Sequence, residues 1–360
     1  MAFGVYVHWP YCLSKCPYCD FFKQVKKNVD QDALIDDYLK ELDFYFDYTS
    51  DKTVSSIFFG GGTPSLLSAY NIQKIIDYVV RRWKTASEIE ISLEANPNSR
   101  QPCLFSDLKK AGINRLSLGV QALNDKDLRF LGRTHNLQQA YEAIEEVVSL
   151  FDNCSMDLIY ARPEQSLTAW EDELKKACAF GFKHLSLYQL TIEEGTVFAK
   201  KGIKPLQDDL AEEMYLFTEN YLKNLGIFKY EVSNYARKGF EAKHNLLYWQ
   251  GDDYLGIGPS AEGRFCQNGK FWASSYRCQL EELTPQEKAE ELLLMGLRLK
   301  QGLSKEKFEK ISGLNFDDWI DSQTLSLLQT QGFVENSSEN LRVSTQGFLL
   351  LNQIIEKLCR

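Results

Sequence analysis

Three cysteines, Cys12, Cys16 and Cys19, stand close together near the start of the chain, in the run HWPYCLSKCPYCDFF. Their C-x3-C-x2-C spacing puts three thiols on one short loop, enough for three corners of an iron–sulfur cube. Such clusters are ordinarily saturated by four protein cysteines, so a set of three leaves one iron open to an outside ligand. The same thiols together with His8 make a Cys3His set of the kind that binds zinc, and the spacing alone does not choose between the two. After the third cysteine come Asp20, Phe21 and Phe22, an aromatic pair where a fourth thiol would have followed. A second run, FFGGGTPS at residues 58–65, ends in three glycines that let a ligand approach the backbone, with Pro64 setting the next turn. Alone, that run reads equally as a turn that needs flexibility.

Short apolar runs at FGVYVHW, VSSIFFGG, IEISLEA, RLSLGVQ, CSMDLIY and HLSLYQL predict strands. Several are apolar at nearly every position, the pattern of parallel strands covered on both faces. Amphipathic helices are expected between them at Ala33 to Phe44, Tyr70 to Trp83, Leu137 to Leu150 and Leu167 to Phe180. In the second of these, Ile72, Ile75, Ile76, Val79 and Val80 repeat at three- and four-residue steps and predict one buried stripe. Six strand–helix alternations with right-handed crossovers curve toward a barrel or a partial barrel, a doubly wound open sheet being the competing architecture. The cysteine loop then follows the first strand and the glycine run the second, at the strand ends where a parallel barrel carries its ligand-binding loops. The character changes after Thr284-Pro285, where helices and a short hairpin predict a small winged-helix-like domain. The expected division is 1–283 and 284–360.

The chain has 360 residues, 44% hydrophobic and 25% charged, with a formal net charge of −9. This charge speaks against a general nucleic-acid binder. Nine cysteines, an odd number and scattered beyond the opening trio, are not a disulfide framework and point to a reducing compartment. The opening residues lack a basic segment followed by a long apolar one, and no run approaches the roughly 18 apolar residues of a membrane span. The expectation is a soluble cytoplasmic protein without a membrane span.

Taken together, the C-x3-C-x2-C loop with Tyr18 before its last cysteine and GGGTPS after the second strand resembles the radical S-adenosylmethionine superfamily. Within it, LEANP, RLSLGVQA, LGRTHN, MDLIY and LSLYQLTIEEGT are similar to the oxygen-independent coproporphyrinogen III oxidase-like family. The resemblance covers nearly the whole chain. It implies an α/β fold, a partial TIM-like (β/α)6 barrel with a C-terminal accessory domain. It also implies a [4Fe-4S] cluster on Cys12, Cys16 and Cys19, whose fourth iron is chelated by S-adenosylmethionine. In that superfamily one electron from the cluster cleaves the sulfonium to a 5′-deoxyadenosyl radical. By the same resemblance, Tyr6 and Tyr18 would flank the cluster and methionine, while Gly61, Gly62 and Thr63 would meet the aminocarboxylate. Glu94 would accept from the amino group or ribose, and Gln121, Arg133 and Asp157 would complete the pocket.

The oxidases of the family resemble C-x3-C-x2-C-x-C, and Phe21 stands where they carry the extra cysteine. The branch with phenylalanine there is the heme-chaperone branch, and the run His244-Asn245-Leu246-Leu247-Tyr248-Trp249 resembles its H-N-x-x-Y-W signature. The resemblance implies that His244 binds heme and that the cargo passes to heme-acceptor proteins, membrane-associated ones among them. Histidine is a common axial ligand of heme iron, although a packed histidine with one satisfied nitrogen fits the residues as well. Ser260-Ala261-Glu262-Gly263 departs from relatives with a histidine there, leaving Tyr248, Cys266 or nothing as the second axial ligand. YARPEQS at 160–166 departs from a glycine-rich version and puts the geometry of that loop in question. The alternative function is an oxygen-independent coproporphyrinogen III oxidase, which decarboxylates propionate side chains; a zinc-stabilised binding protein is the rival from another class.

Overall fold

The computed structural model describes residues 2–98 and 105–359, so Cys103 lies outside the described residues. Six strands, β1 (Phe3–Trp9), β2 (Thr53–Gly61), β3 (Lys84–Ala95), β4 (Arg115–Gln121), β5 (Asn153–Tyr160) and β6 (His184–Gln189), pair parallel in chain order. This is an α/β partial barrel, and the six expected strands are those that form it.

The strands are two-faced, and the division sets up everything that follows. Val5, Val7, Ile57, Phe59, Leu93, Leu116, Leu118, Met156, Leu158, Leu185 and Leu187 form one layer of the main hydrophobic core. Helices α1 (Gln31–Thr49), α2 (Ala69–Arg82), α3 (Leu137–Leu150) and α4 (Leu167–Ala179) cover that layer. Side chains alternate across a strand, so Tyr6, His8, Ser56, Glu90, Ser92, Glu94, Ser117, Ser155, Asp157, Ser186 and Tyr188 share the opposite, concave face. Each of these four helices is capped by a side chain, from Asp30, Ser68, Asn136 and Ser166, which satisfies a free N–H of the first turn. In α2, Ile72, Ile75, Ile76 and Val79 are buried, whereas Val80 is 44% exposed. It sits about 80° around the helix from Ile72 at 3.6 residues per turn, off the edge of the stripe it was expected to join.

Past β6, α5 (Asp208–Asn224) packs beside α4, and a short helix, α6 (Lys243–Trp249), comes next. The strand β7 (Asp253–Ile257) then pairs parallel with the far side of β1, and three antiparallel strands, β8 (Glu262–Gln267), β9 (Lys270–Ser275) and β10 (Gln279–Leu283), extend the sheet. The sheet order runs from β10 at one edge to Phe228–Lys229 at the other. The last part of the chain has its own hydrophobic cluster, from Ala289 to Leu358, joined by Tyr215 of α5. There helices alternate with a hairpin of Val334–Asn336 and Asn340–Val343, the winged-helix-like pattern. Among the described residues no helix is long and apolar enough to cross a membrane.

Candidate functional site

A cavity of about 340 Å3 opens at the C-terminal ends of the strands, lined by all three loop cysteines. Those thiols are free, and none is tied up in a disulfide. Tyr18, Gly61, Gly62, Thr63, Glu94, Gln121, Arg133 and Asp157 line the same cavity. Residues spread over 146 positions of sequence therefore face one space.

The glycine run is stitched to the cysteine loop. Gly62 donates its N–H to the Trp9 carbonyl at 2.6 Å, and Thr63 to that of Tyr11 at 3.0 Å. The Thr63 hydroxyl donates to Cys12 Sγ at 3.5 Å. Gly61 has φ of +107°, a conformation that favours glycine, and a Cβ on it would meet the His8 ring at 2.7 Å. Opposite stands Arg133, whose guanidinium donates to Gly119 O at 2.9 Å, Tyr18 Oη at 3.4 Å and Cys16 Sγ at 3.5 Å. It also donates to Asn96 Oδ1, and Asn96 in turn donates to Thr63 Oγ1 at 3.2 Å. Asn96 thus ties the cation to the glycine run, a residue that sequence reasoning quoted within LEANP without assigning it a role.

Two carboxyls lie on the cavity floor. Glu94 accepts from Gly61 N–H at 3.3 Å, and its pKa is pushed up to about 8 by burial and by the neighbouring Asp157. Asp157 accepts from Ser117 Oγ at 2.9 Å, and burial raises its pKa against the pull of the serine hydroxyls. Gln121 ends β4 in a left-handed turn, φ +74°, and its side-chain oxygen is buried without a partner. A fixed cation and two reluctant carboxyls facing one cavity would suit a zwitterionic ligand carrying hydroxyls.

The thiols, the glycine cradle and the unpartnered Gln121 oxygen fit a three-cysteine cluster with an outside ligand. Zinc fits less well. His8 does not line the cavity; its Nδ1 is engaged with the Tyr6 hydroxyl at 3.0 Å. Among the described residues, no group of three or more His, Cys, Asp or Glu side chains is placed to hold a single ion.

Tyr6 and His244 are not brought to the cavity. His244 is buried in α6 at the opposite end of the barrel, its Nδ1 2.9 Å from Ser56 Oγ and its ring stacked 5.1 Å from Phe58. The N–H groups of Lys243 and His244 donate to Glu90 at 3.1 and 3.2 Å, pinning α6 across the barrel floor. Burial pushes the His244 pKa down to about 3. Tyr6 lies between, 6.2 Å from the His244 ring. The YARPEQS loop is a latch: Arg162 is buried, bonded to Glu173 at 2.5 Å and Asp127 at 3.0 Å. Sequence reasoning assigned no role to Lys23, Tyr188, Gln189, Thr191 and Glu193, which also line the cavity. Four of them lie within LSLYQLTIEEGT, the run quoted for the resemblance, and Tyr188 and Gln189 end β6, so motif and strand-end position were both signals that could have found them.

The raised Glu94 pKa has a pH signature. In the unfolded chain the group ionises near its ordinary 4.5, so between there and about 8 the folded state holds the extra proton. Stability from this group is complete below that window and declines as pH rises through it. Glu94→Gln is expected to flatten the fall in melting temperature between those limits, seen by thermal melts of the ligand-free protein across the pH range. An unchanged slope would mean Glu94 is already ionised at neutral pH.

The sequence pattern of the radical SAM superfamily matches residues 6–177, and that of the HemN C-terminal domain matches residues 283–350. The heme chaperone HemW of Escherichia coli is 34% identical, over 98% of this chain and 97% of that protein. The radical S-adenosyl methionine domain-containing protein 1, mitochondrial, of Danio rerio is 32% identical, over 98% of this chain and 86% of its own length. Among solved structures, the coproporphyrinogen III oxidase HemN of Escherichia coli superposes with a TM-score of 0.82 at 21% identity, covering 99% of this chain and 90% of that one.

Proposed function

The chain belongs to the radical S-adenosylmethionine superfamily, in the HemW branch of the oxygen-independent coproporphyrinogen III oxidase-like family, and on that premise we propose that it is a heme chaperone. It would hold a [4Fe-4S] cluster through Cys12, Cys16 and Cys19, bind S-adenosylmethionine beside it, and pass heme to an acceptor protein, some acceptors lying at the membrane. The observation that carries the cluster and S-adenosylmethionine part of this reading is the meeting of three free thiols, the Gly61–Thr63 cradle and Arg133 in one cavity, while heme as the cargo is supported by the HemW relatives and by Phe21. Arg133 and the backbone at Gly61 and Gly62 would take the aminocarboxylate, and Glu94 the amino group, giving up its proton as it does so. Gln121 and Asp157 would hold the ribose. When bound, the cluster supplies one electron to the sulfonium; the protein's own share is ligation, orientation and exclusion of water. Free thiols and the resemblance to bacterial HemW suit the reducing cytoplasm.

The oxidase reading has one feature against it. The position of the family's extra cysteine is Phe21, which neither ligates nor exchanges thiols. Anaerobically reconstituted protein is expected to bind hemin at one per chain and to convert no coproporphyrinogen III to protoporphyrinogen when supplied with a reductant and S-adenosylmethionine. Turnover of coproporphyrinogen would reverse the choice. For His244 to ligate iron, α6 would have to leave Ser56 and Glu90, so any such binding should be slow and accompanied by loss of amide protection in Lys243–Trp249.

A further inference from the structure

The cavity is at the small end of the range for ligand sites, roughly 300–1,000 Å3, and the S-adenosylmethionine reading fills it, so a porphyrin needs a surface of its own. The cysteine loop offers one. Its base is closed by the pairing of Tyr11–Cys12 with Gln24–Val25, and its back is anchored where Phe198 N–H donates to Pro17 O at 3.0 Å. Its front carries large apolar side chains that stay about half or more exposed: Leu13 is 47% exposed, Phe21 70%, Phe22 47% with its ring 6.3 Å from that of His8, and Val25 54%. Scattered apolar residues on a surface are ordinary, but a cluster at a cavity mouth marks a binding site, and Leu13 and Phe21 also line the cavity.

Charge sharpens the choice of occupant. In a chain of net −9, residues 13–27 hold Lys15, Lys23, Lys26 and Lys27 against Asp20 as their one acid. Lys23 lies at the mouth, its ammonium held by the carbonyls of Cys19 at 2.9 Å and Phe21 at 3.2 Å. Lys26 lies 5.7 Å from the Tyr11 ring. We propose that this outer face of the loop is a docking lip for heme, with the phenyl rings of Phe21 and Phe22 against the porphyrin plane and the lysines beside its propionate carboxylates. A flat dianion with apolar faces is complementary to both features at once, whereas a neutral apolar ligand would have no use for the lysines. On this placement the cargo rests against the cluster loop. This rests on the heme-carrying reading above.

The test is an anaerobic hemin titration of the full reconstituted chain, read by the Soret band and by tryptophan quenching, with iron and sulfide content measured alongside. Phe21→Ser/Phe22→Ser is expected to weaken binding at least roughly tenfold, the scale of losing one or two buried rings. Lys26→Glu/Lys27→Glu, farther from the cavity, should weaken it too and remove the decline in affinity that added salt causes in the parent chain. Parent-like affinity in both double variants overturns the lip while leaving heme carriage standing. Loss of binding in His244→Ala with the lip variants unaffected moves the heme to the barrel floor and likewise overturns it. A parent chain that binds no hemin removes the lip and the chaperone reading together.

Discussion

Cys16→Ser is expected to leave the chain folded and without its cluster. The side chain is half-buried on a surface loop and belongs to none of the hydrophobic clusters, so the apo protein should melt within about 0.5 kcal/mol of the parent, as surface changes do. Two thiolates remain, Cys12 and Cys19, and two cannot hold a cube that already lacks a fourth protein ligand. The loss reaches further than one corner. Arg133 donates to the Cys16 sulfur at 3.5 Å and to Tyr18 at 3.4 Å, so a thiolate at this position faces a fixed cation. Serine offers an alcohol that stays protonated there and gives that cation no anionic partner. Iron and acid-labile sulfide per chain after anaerobic reconstitution measure the outcome, and S-adenosylmethionine binding should fall with them because the open iron has gone. Full iron and sulfide in the variant would sink the ligand assignment, and a zinc-loaded, iron-free parent would replace it with the Cys3His reading.

How much of this could be read from the residues differs from element to element. The six strands were legible because their outward layer is apolar and each run ends at a glycine, a proline or a polar loop. Their inward layer, with Glu94, Ser117, Asp157 and Ser186, is polar for the sake of the cavity, which the near-continuous apolar runs understate. The cavity residues were legible because LEANP, RLSLGVQA and LGRTHN carry a family resemblance, and the strand-end rule gives them a common address. The floor was not. His244 meets Ser56 across 188 positions of sequence, and no local pattern announces that α6 plugs the barrel. Strands β7 to β10 were also missed, because GDDYLGIGPSAEG reads as turns until β1 supplies a partner for it. Val80 failed for a smaller reason: of the five residues drawn into the stripe, the helix buries four.

The second large effect is expected from a single methyl group. Gly62 stands where a Cβ would lie 2.6 Å from the Tyr11 carbonyl oxygen, 2.9 Å from its carbon and 3.0 Å from Trp9 O. All three are backbone atoms, so no side-chain rotation relieves the contact, and Gly62→Ala must push the glycine run and the cysteine loop apart. The hydrogen bonds from Gly62 to Trp9 and from Thr63 to Tyr11 hold those segments together, and both should weaken. Overpacking of this kind costs about 1–3 kcal/mol, visible as a lower melting temperature. Binding should suffer more than stability, because displacement by about 1 Å at a positioned site can cost roughly a hundredfold. S-adenosylmethionine affinity, measured by anaerobic equilibrium dialysis, is expected to fall by about that factor while the three thiols remain present to take up iron. An alanine variant with parent affinity and parent melting temperature would mean that the glycine run does not touch the ligand, and Arg133 with Glu94 would be left to hold it alone.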